Sequence, residues 1–86
     1  MKRRKLLARL ASGAVRNVRF DDFTGLVSAF GFVLVRTSGS HHIYTRRDIP
    51  QLVSLQDVSG QAKPYQVRQF LRLVERCNLT MEEERE

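Results

Sequence analysis

The sequence predicts an α+β domain in which a three-stranded antiparallel sheet is covered on one face by helices. Three observations lead to this fold class: a helical repeat of apolar residues over residues 20–30, a switch to β-branched residues after Gly31, and an amphipathic helix that starts at Pro64. At 86 residues the chain is long enough for one such domain and too short for two.

Two helices are predicted before the first strand. Over residues 2–12 leucines recur at helical spacing, and Gly13 stands where a helix would end. This first helix is short and basic, so it can either pack on the domain or act as an arm. Residues 20–30 repeat the apolar pattern, and Gly31 occupies the expected position just after the helix.

Three strands are predicted next, because apolar and β-branched residues alternate with turn-forming ones. Proline lacks a backbone N–H, so Pro50 is expected to interrupt the sheet. The strands are predicted at residues 32–36, 40–46 and 52–55, with a turn at residues 37–39, a break at residues 47–50 and a loop at residues 56–62.

The last helix is predicted to begin at Pro64, since the first helical position tolerates proline. Apolar residues at positions i, i+3, i+4 and i+7 from Val67 form a core-facing stripe, and the helix is expected to end near Asn78. On its flank an arginine recurs at every fourth position: Arg68, Arg72 and Arg76.

Without its first helix, the predicted order is α-β-β-β-α, which is the order of double-stranded-RNA-binding domains. The predicted organisation is a basic N-terminal helix or arm at residues 1–17, the main domain at residues 18–80 and an acidic tail at residues 81–86.

The charge of the chain is unevenly distributed. The net charge is +6, but residues 82–86 carry −3, and the fourteen Lys and Arg and five Asp and Glu of residues 1–81 give that part +9. This excess favours a polyanionic partner, with nucleic acid as the first candidate. The alternative is a charge that only keeps the protein soluble.

The number of cysteines and the length of the apolar runs indicate in which cellular compartment the protein is located. Cys77 is the single cysteine, so an internal disulfide and a thiolate zinc site are excluded. The apolar runs are too short to span a bilayer. The sequence therefore predicts a cytoplasmic protein without a membrane partner.

The two histidines of the chain are adjacent, in the segment Gly39-Ser40-His41-His42. Adjacent strand residues point to opposite faces, so the pair cannot chelate one metal ion, and we predict neither a metal nor another cofactor. An imidazole can exchange protons near neutral pH, whereas the alternative is a packed or solvated side chain. Gly39 is interpreted as permitting close approach of another backbone, and the Ser40 hydroxyl as holding a ligand oxygen or a ring nitrogen.

Several of these segments together resemble the HicA toxins of type II toxin–antitoxin systems, over about residues 20–79. The resemblance is carried by Phe30-Gly31-Phe32, Val35-Arg36, residues 39–44 (GSHHIY) and the helix that starts at Pro64. It implies a small ribonuclease of double-stranded-RNA-binding-like fold that cleaves mRNA in the cytoplasm until a HicB antitoxin blocks it.

The resemblance also assigns roles to residues. The catalytic histidine of the family's Gly-Ser-His motif corresponds to His41. His42 occupies the variable next position, to which the resemblance gives no fixed role, and we predict that it supports the site together with Gly39 and Ser40. Many members carry a Pro-x-His segment in or after the third strand, but this chain has Leu55-Gln56-Asp57 there. A mechanism with two histidines that share acid and base roles is therefore in doubt. The helix before residue 18 is a second departure.

Cleavage of RNA without a metal needs a base for the 2′-OH and a cation for the charge that develops on the phosphate. His41 is the predicted base, and the candidate cations are Lys63, Arg36 and Arg46. Exposed tyrosines could stack on bases, as in single-stranded RNA recognition, and arginines could contact phosphates. The predicted RNA-binding residues are Arg36, Tyr44, Arg46, Lys63, Tyr65, Arg68 and Arg72, and the alternative for each is a packed or solvated side chain.

These observations predict a metal-independent mRNA endoribonuclease, the toxin of a toxin–antitoxin pair with a HicB-type antitoxin as partner. A non-catalytic RNA-binding module of the same fold is the alternative. An adaptor whose basic face binds an acidic protein is a third.

Overall fold

A computed structural model describes residues 2–81 of the chain. Of the predicted acidic tail, residues 82–86 lie outside the described residues. The elements within residues 2–81 are α1 (Arg3–Ala11), α2 (Phe20–Ala29), β1 (Val33–Ser38), β2 (His41–Arg46), β3 (Ile49–Val58), β4 (Gln61–Ala62) and α3 (Pro64–Arg76).

The sheet is an antiparallel meander in the order β1-β2-β3-β4. This confirms the predicted α+β class and is consistent with a double-stranded-RNA-binding-like fold. The sheet has four strands instead of the predicted three, because β4 forms within the predicted loop at residues 56–62. Ser59 and Gly60 both have positive φ (52° and 85°), the backbone conformation of a two-residue hairpin turn.

The predicted break before the third strand is also wrong. Only residues 47 and 48 form the turn, and β3 begins at Ile49. Arg46 pairs with Ile49 while Tyr44 pairs with Val53, so β3 has extra residues, including Pro50, in an irregular part of the ladder. A bulge is one of the places where a strand accommodates proline.

The predicted helix boundaries are confirmed. Pro64 is the first residue of α3. Gly31 and Asn78 follow α2 and α3 with φ of 93° and 53°. At the end of α2 the Gly31 N–H donates to the Ser28 carbonyl at 2.9 Å, which satisfies a carbonyl that the last turn leaves free.

Helices and sheet enclose a single apolar core. Phe70 of α3 lies at its centre, with edge-on ring contacts at 5.7, 5.6 and 5.6 Å between centroids. Its three ring partners are Phe23, Phe30 and Phe32. Leu6 and Leu10 of α1 are each 1% exposed in the same core. Of the two alternatives for the first helix, α1 therefore packs on the domain.

Alternation along the strands decides which side chains face the helices. Tyr44 of β2 and Val53 and Leu55 of β3 are buried in the core, whereas Leu52 and Ser54 are exposed on the other face. Tyr44 pairs with Val53 across the strands, so the two share the helix face of the sheet. None of the helices within residues 2–81 has the length and apolar character needed to cross a membrane.

Candidate active site

Gly39 and Ser40 form the two-residue turn between β1 and β2, since Ser38 pairs with His41. Gly39 has a φ of +61°, and a Cβ atom at this position would meet nothing within 4 Å. The glycine therefore provides the backbone conformation of the turn. Within residues 2–81 no other backbone comes close to this position, so the predicted close approach of another backbone stays a prediction.

His42 lies on the helix face of the sheet, where it is half-buried. Its ring contacts that of Phe20 in α2, with 4.9 Å between centroids, and its Nδ1 lies 3.2 Å from the Ser40 carbonyl oxygen. When Nδ1 donates a proton to this carbonyl, the lone pair of the ring is on Nε2, which can then accept a proton. The serine group that meets the ring is thus its carbonyl and not, as predicted, its hydroxyl.

His41 lies on the opposite, uncovered face of the sheet and is exposed. Its cross-strand neighbour is Gln56 of β3. Its side chain makes no hydrogen bond to the residues at positions 2–81. The two histidines therefore have different surroundings, because His42 is oriented by its neighbours and His41 is not.

Three polar side chains, Ser40, Gln56 and Lys63, form what we call the polar cluster. Gln56 Nε2 lies 3.5 Å from Ser40 Oγ, and Lys63 Nζ donates to Gln56 Oε1 at 3.3 Å. The Gln56 backbone N–H donates to Gln66 Oε1 of α3 at 2.8 Å. The cluster brings Lys63 to the end of the sheet that carries the histidines.

Residues missed by the sequence analysis are Gln56, Gln66 and Phe20. Gln56 did carry a signal, since it falls where many HicA toxins have their Pro-x-His segment. Phe20 had been assigned to the apolar stripe of its helix, and nothing in the sequence indicated its contact with His42. Within residues 2–81 no group of three or more His, Cys, Asp or Glu side chains could hold a metal ion.

The start of α3 adds positive potential beside the polar cluster. Lys63 occupies the N-cap position, no acidic residue lies in the first turn, and no side chain caps the helix. The first N–H groups of a helix and its dipole attract anions. An anionic group would therefore be favoured close to Lys63.

Tyr44 is 6% exposed and belongs to the core. Burial raises the pKa of its hydroxyl above the ordinary value of 10.0, and a hydrogen bond with Thr24 partly lowers that pKa. A ring that stacks on a base must be accessible. The prediction that Tyr44 binds RNA is therefore wrong.

Arg46 holds two elements together. Its Nη1 donates to the Phe30 carbonyl at the end of α2 at 2.7 Å, and its Nε donates to Asp48 Oδ1 at 2.8 Å. It also lies five residues from His41, which is about 17 Å along a strand. We therefore do not retain the predicted RNA-binding role of Arg46.

Besides Lys63, the remaining predicted RNA-binding residues are exposed and lie on two elements: Arg36 on β1, and Tyr65, Arg68 and Arg72 along one side of α3. Arg36 lies on β1 and pairs with Ile43 of β2. Tyr65, in the first turn of α3, is 58% exposed, and its hydroxyl accepts a hydrogen bond from Gln69 Nε2 at 3.0 Å. Arg68 and Arg72 are exposed on α3, and Arg72 lines a groove of about 290 Å³ between β3 and α3.

One family model matches residues 20–75, and its description is HicA toxin of bacterial toxin–antitoxin. The matched range contains both histidines, the polar cluster and all of α3 except its last residue. No significant match was found among curated proteins or among solved structures.

Proposed function

Because the chain belongs to the HicA family of toxins of bacterial toxin–antitoxin systems, we propose that it is a metal-independent endoribonuclease. Its proposed substrate is mRNA in the cytoplasm, and a HicB-type antitoxin is the proposed inhibitor. The observation that carries this proposal is the proximity of the histidine pair to the polar cluster at one end of the sheet.

The reaction requires a base that removes the proton from a ribose 2′-OH. The 2′-oxygen then attacks the adjacent phosphorus, and the bond to the 5′-oxygen breaks. The leaving 5′-oxygen takes up a proton from water, so the products carry a 2′,3′-cyclic phosphate and a 5′-hydroxyl. A positioned imidazole contributes about 10²–10⁴-fold to the rate of such a step. Two imidazoles on opposite faces of a strand cannot both contact the same 2′-OH, so at most one of them can be the base.

The sequence assigns the base to His41, and this assignment stays a prediction. The orientation of the ring favours His42, because a hydrogen bond from Nδ1 to the Ser40 carbonyl fixes this imidazole and directs the lone pair to Nε2. The pairing of Gln56, which holds Lys63, with His41 is the contact that supports His41. The Phe20 ring restricts the imidazole further. We therefore propose that Nε2 of His42 accepts the 2′-OH proton.

Lys63 is the proposed cation for the transition state. Its ammonium group, held by Gln56, can offset the negative charge that develops on the phosphate oxygens. The uncapped start of α3, the positive end of the helix dipole, would also stabilise this negative charge. Arg36, Tyr65, Arg68 and Arg72 are proposed to bind the rest of the RNA strand, through phosphates or by stacking.

Cleavage of RNA by the purified protein tests the proposed function. A long unstructured RNA should be cut equally fast in EDTA and in magnesium, because the proposed base and cation are protein side chains. The new ends should be 2′,3′-cyclic phosphates, which treatment with a cyclic phosphodiesterase and analysis by mass spectrometry would identify.

Two results would contradict this expectation. Loss of cleavage in EDTA that added metal restores would overturn the metal-independent mechanism. A wild-type protein that binds RNA without cutting it would favour the alternative, a non-catalytic RNA-binding module.

Reversal of charge at Arg68 and Arg72 tests whether α3 forms part of the RNA surface. In a cleavage-dead background, the logarithm of the RNA affinity should fall with the logarithm of salt concentration by about 0.7 per contacted phosphate. Arg68→Glu with Arg72→Glu should remove two contacts and flatten the slope by about 1.4. Filter binding at several salt concentrations measures this slope.

A control with the same change in net charge shows whether the position of the arginines on α3 matters or only the total charge of the protein. Arg16→Glu with Arg47→Glu alters two exposed arginines, one before α2 and one in the turn after β2. Equal slopes for the two double variants would mean that α3 contributes only to the overall charge.

A further inference from the structure

β1 is the outer strand of the sheet, and within residues 2–81 its pairing partner is β2. All six of its residues are exposed, and none belongs to the core. Three of them are consecutive and apolar: Val33 is 61% exposed, Leu34 45% and Val35 58%. Core packing therefore does not explain the apolar character of this strand.

An exposed edge strand presents unpaired N–H and C=O groups and is a template for another strand. Natural proteins block such edges with charged side chains, lysine above all, with proline, with a bulge or with a covering element. β1 has two of these devices, the charged Arg36 and a register irregularity between Leu34 and Arg36, but its first three residues are apolar and the strand contains neither lysine nor proline. An apolar edge with so little protection is typical of a binding surface.

We propose that the outer edge of β1 pairs with a strand of the antitoxin, and that this strand carries acidic residues beside apolar ones. The inference rests on the proposed inhibition by an antitoxin. β1 contains Arg36 and no carboxylate. Arg36 is exposed on the edge strand itself, so a carboxylate on the incoming strand would complement it.

Charge argues against a second copy of this chain as the occupant. In a two-fold pairing of β1 with itself, the two Arg36 side chains would lie close together, and like charges across strands are destabilising. The net charge of +6 adds repulsion between copies. An acidic strand of a different protein would be repelled neither by Arg36 nor by the net positive charge.

The test uses Val35→Glu, which places a carboxylate on the proposed edge. The partner is the purified product of the neighbouring open reading frame, and its affinity for the toxin is measured by calorimetry. Val35→Glu should weaken this binding by about tenfold, because a like charge replaces an apolar contact. Hydrogen exchange should show protection of the β1 amides when the partner binds wild-type toxin.

Leu52→Glu is the matched control, since Leu52 is a 64% exposed apolar residue on β3 and the change in charge is identical. Its affinity for the partner should stay within about twofold of wild type. A loss confined to Leu52→Glu would place the partner at the β3–α3 groove and overturn the proposal, as would unprotected β1 amides.

Two further measurements test whether RNA or a second copy of the chain, instead of the antitoxin, binds the edge of β1. Protection of β1 by RNA without the partner, or a wild-type dimer that Val35→Glu dissociates in sedimentation, would each overturn the proposal. At saturating RNA, free Val35→Glu should cleave at the wild-type rate, because Val35 is not part of the proposed catalytic site. A wild type that fails to cut RNA but still protects β1 with the partner would refute the proposed activity and leave this surface standing.

Discussion

Substitution of His42 by alanine is expected to lower the rate of RNA cleavage by about 10²–10⁴-fold. The physical reason is the orientation of the ring, since Nδ1 faces the Ser40 carbonyl at 3.2 Å and leaves Nε2 to accept the proton. His41→Ala, measured in parallel, should keep most of the activity because its exposed side chain lacks such an orienting contact. Initial rates on a short fluorescent RNA measure both effects.

A second substitution protects this test against a folding artefact. In His42→Asn the side-chain amide can donate to the Ser40 carbonyl in place of Nδ1, but it cannot act as a base. This variant should therefore fold and bind RNA as wild type does and be as inactive as His42→Ala. If His41→Ala is inactive and folded while His42→Ala cleaves at the wild-type rate, the base is His41, as the sequence predicted.

Leu10→Ala should lower the free energy of unfolding by about 2–5 kcal/mol. Leu10 is 1% exposed in the core, and truncation would leave a cavity between α1 and the rest of the domain. Such a loss is a large part of the roughly 5–15 kcal/mol that stabilises a typical domain. Urea unfolding followed by circular dichroism measures it.

Leu7→Ala is the matched control on the same helix, because Leu7 is only half-buried. Leu7→Ala should lower the free energy of unfolding by clearly less than Leu10→Ala does. If α1 were an arm in solution, both substitutions would change the unfolding free energy by no more than about 0.5 kcal/mol, the usual range for surface positions.

The elements that the sequence predicted well are those with local causes. Gly31 and Asn78 end their helices because the residue after a helix often adopts positive φ, which glycine and asparagine tolerate. Pro64 starts α3 because the first helical N–H needs no partner within the helix. Apolar periodicity likewise gave the α+β class, since each period belongs to one type of element.

The errors arose where a distant residue decides the outcome. Pro50 was expected to end a strand, but the pairing of β3 with β2 leaves it in an irregular part of the ladder. The loop after β3 became a hairpin because β4 pairs back onto β3. Both pairings depend on residues outside the short segment from which a local sequence pattern is identified.

The sequence by itself determined the helix ends, the order of the elements, the adjacent histidines and the positive charge of the chain. Only the tertiary structure decided which face of β2 is covered, and this buried Tyr44, oriented His42 and exposed His41. It also brought Lys63 to Gln56 and Ser40. The physical reason is that strand alternation fixes only which residues share a face, whereas packing against α2 and α3 chooses the face that is buried.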